Sequence, residues 1–455
     1  MTLPRAVDTS TPIFVLQVGH SLAVRHRALP VARSAGRLGI DVHVVHGGRA
    51  EEPAALSRYV RGSLVVPRVA SREDWIRNLV RVGQRLGRSL LVPIDDDASV
   101  LVDDHADELQ EHFLFPRRPP GVARRLSSKW ELHRLCSRLG VPSPQCVVPA
   151  GSEEAVARAD EFGYPVVLKR IARWVPSLER GAPSVYIAPD RASLIAAYGR
   201  MQAPVERNVL LQEYIPGPPE SVWMLNAYLD ENSEPLVAFT GRKLRQYPAY
   251  TGAATLGVCA ANGTVERDAL RLLREVGYRG IIDLGFRYDR RDGKYKLLDV
   301  NPRIGATFRL FVGDGGIDVL RALYLDMTGQ DVPPAGRCDG RRWIVEPLDL
   351  VSSHRYWRDG QLSAAAWLRS LLGVREGAWL AKDDPLPALA AAASMTNRAS
   401  RRLLAWNETT RVPFSRGRVS GSAAASRPVR ALEVQTATSA AGDGALTDES
   451  RERSF

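Results

Sequence analysis

Apolar and polar positions along this chain switch between strand and helix periods. Ile13–Val18 (IFVLQV) is an apolar run of strand length, and Leu22–Leu38 then places Leu29, Val31, Ala32 and Leu38 at helical spacing until Gly39 stops it. Val42–Val45 reads as a second strand, a helix follows around Trp75–Leu86, and Leu90–Ile94 is a strand running into Asp95-Asp96-Asp97. Such repetition predicts parallel strands covered by helices. The turn at Gly19-His20-Ser21 lacks the spaced glycines of a dinucleotide fingerprint, which argues against NAD binding.

The pattern changes after Phe115-Pro116 and Pro119-Pro120-Gly121, a linker composition. Ser128–Glu131 (SKWE) carries the capping-box signature for a helix to about Leu139. Strands are predicted at Gln145–Val148, Tyr164–Arg170, Val209–Ile215, Val222–Leu229 and Pro235–Thr240. A helix over Val265–Val276 then precedes a hairpin of Gly280–Asp289 and Lys294–Asn301, turning at Arg291-Asp292-Gly293. Beyond Asp331 lies a smaller Trp-bearing region, and beyond Arg416 a Ser/Ala/Gly/Thr-rich stretch with few large apolar residues, predicted to be disordered. The division expected is therefore 1–120, a βαβ domain; 121–330, the main domain; 331–415, a helical or irregular region; and 416–455, a tail.

Composition narrows the class. With 455 residues, 45% hydrophobic and 25% charged, the chain has the make-up of a soluble globular protein of more than one core. No apolar run approaches the roughly 20 residues of a membrane span, and Ile13–Val18 is too short for a signal-peptide core. Cys136, Cys146, Cys259 and Cys338 lie far apart with no CxxC spacing and no disulfide framework, which points to a reducing cytoplasm. The net charge of +11 raises the question of nucleic acid, but the cations are spread evenly and form no aromatic-interleaved block, so no nucleic-acid partner is expected. Only six of the 62 cationic residues are lysine: Lys129, Lys169, Lys243, Lys294, Lys296 and Lys382. Where a genome drives Lys to Arg, positions that need a compact ammonium keep it, so these six are enriched for function.

The chemistry-bearing pieces come in order. Lys169 ends an apolar strand, a position equally open to a snorkelling edge lysine. Gln212-Glu213-Tyr214-Ile215 sets one acid among apolar neighbours, Arg242-Lys243-Leu244-Arg245 is a cationic run, and Leu298-Asp-Val-Asn-Pro-Arg303 closes the hairpin. Asp299 and Asn301 are two apart on a strand, so a carboxylate and a carboxamide oxygen share one face, the ligand type that Mg²⁺ on a phosphate takes. An edge-strand Asp followed by an Asn turn would show the same spacing. The eight histidines form no metal or triad pattern, and His43 and His46 read as structural.

Lys169, Gln212–Ile215 and Leu298–Arg303 together resemble the ATP-grasp superfamily, in particular its carboxylate–amine ligases of the D-aspartate ligase and carbamoyl-phosphate-synthase type. The resemblance spans roughly Gly121–Gln330, and Pro93–Asp97 looks like the end of the small domain that precedes ATP-grasp domains. It implies an α/β fold of two α+β subdomains gripping ATP. It also implies Lys129 and Lys169 on the phosphates, Glu213 on the adenine amino group, and Gln212, Tyr214 and Ile215 along the adenine edge. Glu220 falls where a ribose-binding acid belongs. Asp299 and Asn301 match the Mg²⁺ ligands, with Mn²⁺ as an alternative ion. Arg303 faces the acyl phosphate, and Lys243 with Arg242 or Arg245 the transferred phosphoryl group.

Two departures stand out. The family carboxylate on the preceding strand is replaced by Gly285, with Asp283 as its expected substitute, and the stretch Ile171–Ser184 after Lys169 lacks the usual glycines. The function implied is activation of a carboxylate as an acyl phosphate and its capture by an amine. The alternatives are a carboxyl- or carbamoyl-phosphate-forming enzyme and a nucleotide-binding protein on a decayed scaffold. The partners implied are a small carboxylate and a small amine, with a homodimer as the assembly the resemblance suggests. Asp95–Asp97 and Arg309 are candidates to face the amine and the carboxylate, against a reading as solvated turn charges.

Overall fold

The computed structural model describes residues 7–19, 26–47, 53–67, 70–171, 184–203 and 207–393. The turn at His20-Ser21, the start of the helix expected from Leu22, residues 172–183 after Lys169 and the tail over 416–455 lie outside them.

Five parallel strands open the chain: β1 (Ile13–Gln17), β2 (Val42–His46), β3 (Val60–Val65), β4 (Ser89–Pro93) and β5 (Phe113–Leu114), in the order β3-β2-β1-β4-β5. Helices α1 (Ala28–Gly36), α2 (Arg72–Leu86), α3 (Asp96–Asp104) and α4 (Ala106–Leu109) connect them. Strand order reverses between β1 and β4, where the carboxyl ends of a parallel sheet leave a crevice. Ile13 and Val15 pack in one core and Phe14 and Leu16 in another, so the continuous apolar run reflects a sheet buried on both faces. His43 stacks on Phe14 at 4.9 Å and His46 Nε2 bonds Ser63 Oγ at 3.1 Å, both structural roles.

Helices α5 (Val122–Ser127) and α6 (Lys129–Leu139) lead into a four-stranded antiparallel sheet. Its strands are β6 (Cys146–Val147), β7 (Val166–Arg170), β8 (Val185–Ala188) and β9 (Val209–Glu213), ordered β6-β9-β7-β8, with α7 (Ser152–Phe162) and α8 (Arg191–Met201) between them. Ser128 caps α6 by accepting from Glu131 N, and Gly140 ends it at φ 62°. On β7, Val166 and Leu168 pack with α7 and α8, which turns Val167 and Lys169 to the opposite face.

The third sheet has seven strands: β10 (Val222–Leu229), β11 (Pro235–Tyr247), β12 (Ala253–Cys259), β13 (Gly280–Asp289), β14 (Lys294–Asn301), β15 (Arg342–Ile344) and β16 (Val374–Gly377), ordered β14-β13-β10-β11-β12-β15-β16. Helices α9 (Gly263–Glu275), α10 (Val319–Met327), α11 (Glu346–Arg358) and α12 (Ala364–Leu371) complete it. The region after Asp331, expected to be helical or irregular, thus extends this sheet through β15 and β16. A second difference concerns the cysteines: Cys259 and Cys338 are joined, their Cα atoms 5.8 Å apart, because β12 and the segment before β15 bring residues 79 positions apart together. No described helix is long and apolar enough to cross a membrane.

Candidate active site

A cleft of about 400 Å³ lies between the second and third sheets. Its apolar walls include Val167, Ile187, Ile215, Met224, Leu284 and Leu298, and its polar lining includes Lys129, Lys169, Lys243, Asp283, Asp299, Asn301 and Arg303. The strands explain the convergence. In the β13–β14 ladder Asp283 sits opposite Asn301 and Gly285 opposite Asp299, while Ile282, Phe286 and Val300 point into the core behind. Asp283, Asp299 and Asn301 therefore meet on one face of two adjacent strands.

Each charge there has a partner. Lys129, the first residue of α6, pairs with Asp299. Lys169 Nζ donates to the Leu298 carbonyl at 3.4 Å, and Asn301 Nδ2 to Asp283 Oδ2 at 3.3 Å. Arg303 donates to Asn301 Oδ1 at 3.0 Å and to Asp96 Oδ1, from the first domain, at 3.1 Å. Burial dominates the electrostatics: it pushes Lys169 down to about 8 against the pull of Asp299, lowers Lys243, and raises Asp283 against Arg303 and Lys243. Lys169, Lys243 and Asp283 are thus held toward their neutral forms, which suits a ligand bringing a polyanion and a cation together.

The donor set fits a hard divalent cation in one way. Among the described residues no group of three or more His, Cys, Asp or Glu side chains could hold a metal alone. Two carboxylates and a carboxamide oxygen are what Mg²⁺ uses when phosphate oxygens complete its shell. Gly285 is not enforced by crowding: a Cβ there would meet only Asp299 Cβ, at 3.9 Å.

Four expected site residues are elsewhere. Arg245 is turned out of the cleft by a register shift in β11 between Lys243 and Arg245; its guanidinium grips Asp349 on α11 at 2.7 and 2.8 Å. Its role is to hold α11 onto the sheet, and Arg242 likewise lies over Trp223. The Glu213 carboxylate accepts from Gln145 N, Lys296 Nζ and Arg291 at 3.0, 3.1 and 2.7 Å, so it braces the strand end rather than facing the cleft. Glu220 is exposed in a short 3₁₀ helix, Pro219–Ser221, outside the lining. Gln212, Tyr214 and Ile215 do line the cleft.

The other charged candidates are reassigned too. Asp95 caps α3 and accepts from Val18 N and Gly19 N, its carboxyl raised to about 6 by burial, and Asp96 holds Arg303. Arg309 is buried between Asp318 and Glu376 at 2.5 and 2.7 Å. Neither a solvated turn nor a substrate contact describes these groups. Sequence reasoning missed Gln246, Arg287 and His26 as lining residues. Arg287 was legible as the next cleft-facing position after Asp283 and Gly285 on β13, but Gln246 follows a register shift and His26 comes from the distant first domain.

D-aspartate ligase of Enterococcus faecium is 25% identical over 254 residues, 54% of this chain and 60% of that protein. The C-terminal section of the Methanopyrus kandleri carbamoyl phosphate synthase large chain is 22% identical over 303 residues, 64% of this chain and 52% of that protein. The chain thus spans less than two thirds of either relative. Among solved structures, N5-carboxyaminoimidazole synthetase from Staphylococcus aureus complexed with ADP superposes with TM-score 0.55 at 11% identity, covering 72% of this chain and 80% of that one. The biotin carboxylase domain of Hydrogenobacter thermophilus 2-oxoglutarate carboxylase, in complex with MgADP and bicarbonate, gives 0.52 at 17% identity and 72% coverage of each. L-amino acid ligase from Bacillus licheniformis gives 0.53 at 13% identity, covering 72% and 78%. No family model matches the chain. The protein has the ATP-grasp fold, two gripping sheets preceded by a parallel-sheet domain, and its sequence relatives include D-aspartate ligase and carbamoyl phosphate synthase.

Proposed function

We propose that this chain is an ADP-forming carboxylate–amine ligase working on small molecules. The observation that carries this reading is the meeting of Lys129, Lys169, Lys243, Arg303 and the Asp283–Asp299–Asn301 face in one cleft with apolar walls. Those walls suit a purine; with the Glu213 carboxylate engaged elsewhere, the base edge falls to the Gln212–Ile215 backbone. Asp283, Asp299 and Asn301 would hold Mg²⁺, whose chemistry there is neutralisation of the triphosphate.

A substrate carboxylate oxygen attacks the γ-phosphorus, the bond to the β-phosphate oxygen breaks, and ADP leaves. Lys129, Lys169 and Lys243 align the anions and offset their repulsion. The amine lone pair then attacks the acyl carbon, and the acyl C–O bond breaks with its electrons going to inorganic phosphate, which also takes the surplus amine proton. Arg303, held by Asp96 and Asn301, would stabilise the tetrahedral oxyanion. ADP release measured over a panel of amino acids, alone and in pairs, with product mass, tests this. An amide product supports it; release that depends on bicarbonate with no amide formed would favour the carboxy-phosphate alternative and overturn ours.

Two expected outcomes arise here. Lys169 is needed as a cation and its pKa is pushed down to about 8, so kcat/KM for ATP should fall as pH rises through about 8, the free enzyme losing that charge. Lys169→Arg should remove the fall; an unchanged profile in both would contradict the assignment. Gly285→Asp places a further carboxylate beside Asp299 in open space. The Mg²⁺ concentration for half-maximal activity should drop roughly tenfold, about 1.4 kcal/mol, as read by a metal titration of ADP release.

A further inference from the structure

Gln246 lies three residues beyond Lys243 on β11, and the two side chains converge on one carbonyl. Lys243 Nζ donates to Gly252 O at 3.1 Å and Gln246 Nε2 to the same oxygen at 2.8 Å. Position 252 admits this only as glycine, since a Cβ would lie 1.9 Å from the Tyr247 carbonyl oxygen. The Nε2 contact decides the amide orientation: the nitrogen faces Gly252, so the oxygen is the free end. That oxygen, Oε1, is buried and has no hydrogen-bond partner among the described residues, and Gln246 is 2% exposed while lining the cleft.

A buried carbonyl oxygen left without a donor is costly, which makes this one fitted to a ligand bearing N–H or O–H. It sits beside a cation, Lys243, which disfavours a metal ion as its partner. Under the ligase reading, on which this inference rests, the reactants that come near Lys243 are a phosphoryl group, a carboxylate and an amine. Phosphoryl oxygens and carboxylates are acceptors; of these three reacting groups the amine alone brings donors. We propose that Gln246 Oε1 receives an N–H of the incoming primary amine and so aims its lone pair at the acyl carbon. His26 Nε2, a second buried atom without a partner among the described residues, belongs to the lining of the same cleft. Its imidazole is held against Trp343 and Trp379, with ring centroids 5.9 and 6.0 Å away. Burial pushes its pKa down to about 3, so it stays neutral and does not repel an amine.

Hydroxylamine separates the two half-reactions, because at saturation it traps an acyl phosphate as a hydroxamate without needing an amine subsite. Wild type, Gln246→Met and Gln246→Glu are each given ATP and an equimolar mixture of the twenty amino acids with D-aspartate, which supplies carboxylates and amines, in one arm with saturating hydroxylamine as the trap and in the other without it. Gln246→Met should form hydroxamate within about twofold of wild type yet capture amino acids roughly 30-fold more slowly, the cost of leaving one buried N–H without an acceptor. Gln246→Glu, which keeps an acceptor oxygen, should recover much of that capture. Equal losses in both arms would overturn the inference, since a structural role at Gly252 harms both steps alike. If Gln246→Met does not fold by thermal melting, Gln246→Glu decides: amine capture retained supports the proposal, and selective loss with hydroxamate intact overturns it. A wild type forming neither hydroxamate nor amide removes the ligase reading itself, and this inference with it.

Discussion

Asp299→Ala should reduce ATP-dependent turnover at least about 10³-fold, close to 4 kcal/mol of transition-state stabilisation, while barely changing the melting temperature. The asymmetry follows from where Asp299 sits. Its side chain is 36% exposed in the cleft and pairs with Lys129, itself 18% exposed. A partly solvated pair of this kind contributes at most about 1 kcal/mol to folding. In the reacting complex its worth is larger, because Asp299 is one of only two carboxylates on the cleft face of the hairpin and Gly285 offers no replacement. With it gone, Lys129 and Lys169 face the phosphates without the anion that keeps Lys169 charged, since Asp299 raises the pKa that burial lowers. Coupled measurement of ADP release gives the first quantity and thermal melting the second. Turnover within tenfold of wild type would sink the metal-face assignment, and a large loss of stability would mean the residue is architectural.

The second large effect is on stability and concerns a residue that does not line the cleft. Arg33→Ala should lower unfolding free energy by about 3–5 kcal/mol, read from the urea midpoint of the first unfolding transition. Arg33 is on α1 and 1% exposed. Its guanidinium donates to Asp384 Oδ2 at 2.9 Å and to the carbonyls of Ala378, Trp379 and Asp384 at 3.2, 2.9 and 2.8 Å. Alanine would leave the Asp384 carboxylate buried, still accepting from Ser57 Oγ and Arg58 N at 2.7 and 3.0 Å but without a counter-charge. Arg33→Lys should fall between, because an ammonium keeps the charge but cannot reach the three carbonyls in one plane. A cost below about 1 kcal/mol for Arg33→Ala would show that the C-terminal segment is held by its apolar contacts alone.

Local pattern carried far in some elements and stopped short in others. The hairpin strands Gly280–Asp289 and Lys294–Asn301 and the strand Val222–Leu229 are legible because alternation and a Gly turn specify them without outside help. Ser128 and Gly140 announce both ends of α6 by capping chemistry that needs only a few neighbouring residues. By contrast β12, β15 and β16 gave no such signal: each owes its conformation to the ladder beside it, not to its own propensity. The cation run at 242–245 shows the limit most clearly. Three cationic side chains within four positions read as one functional group, yet strand alternation turns Arg242 onto Trp223 and Lys243 into the cleft, and the register shift after Lys243 sends Arg245 to Asp349.

What the chain's sequence determined alone was the inventory: which ammonium groups persist where arginine is otherwise used, and which acid and amide share a strand face, since spacing along one strand obliges it. Tertiary structure decided allegiance. Whether Glu213 meets a ligand or Lys296 and Arg291, whether Arg303 is steered by Asp96 from another domain, and whether the Gln246 oxygen is left without a donor depend on contacts between residues up to hundreds of positions apart. A charged group takes the partner that burial brings nearest, and burial is a property of the packed molecule rather than of any segment within it.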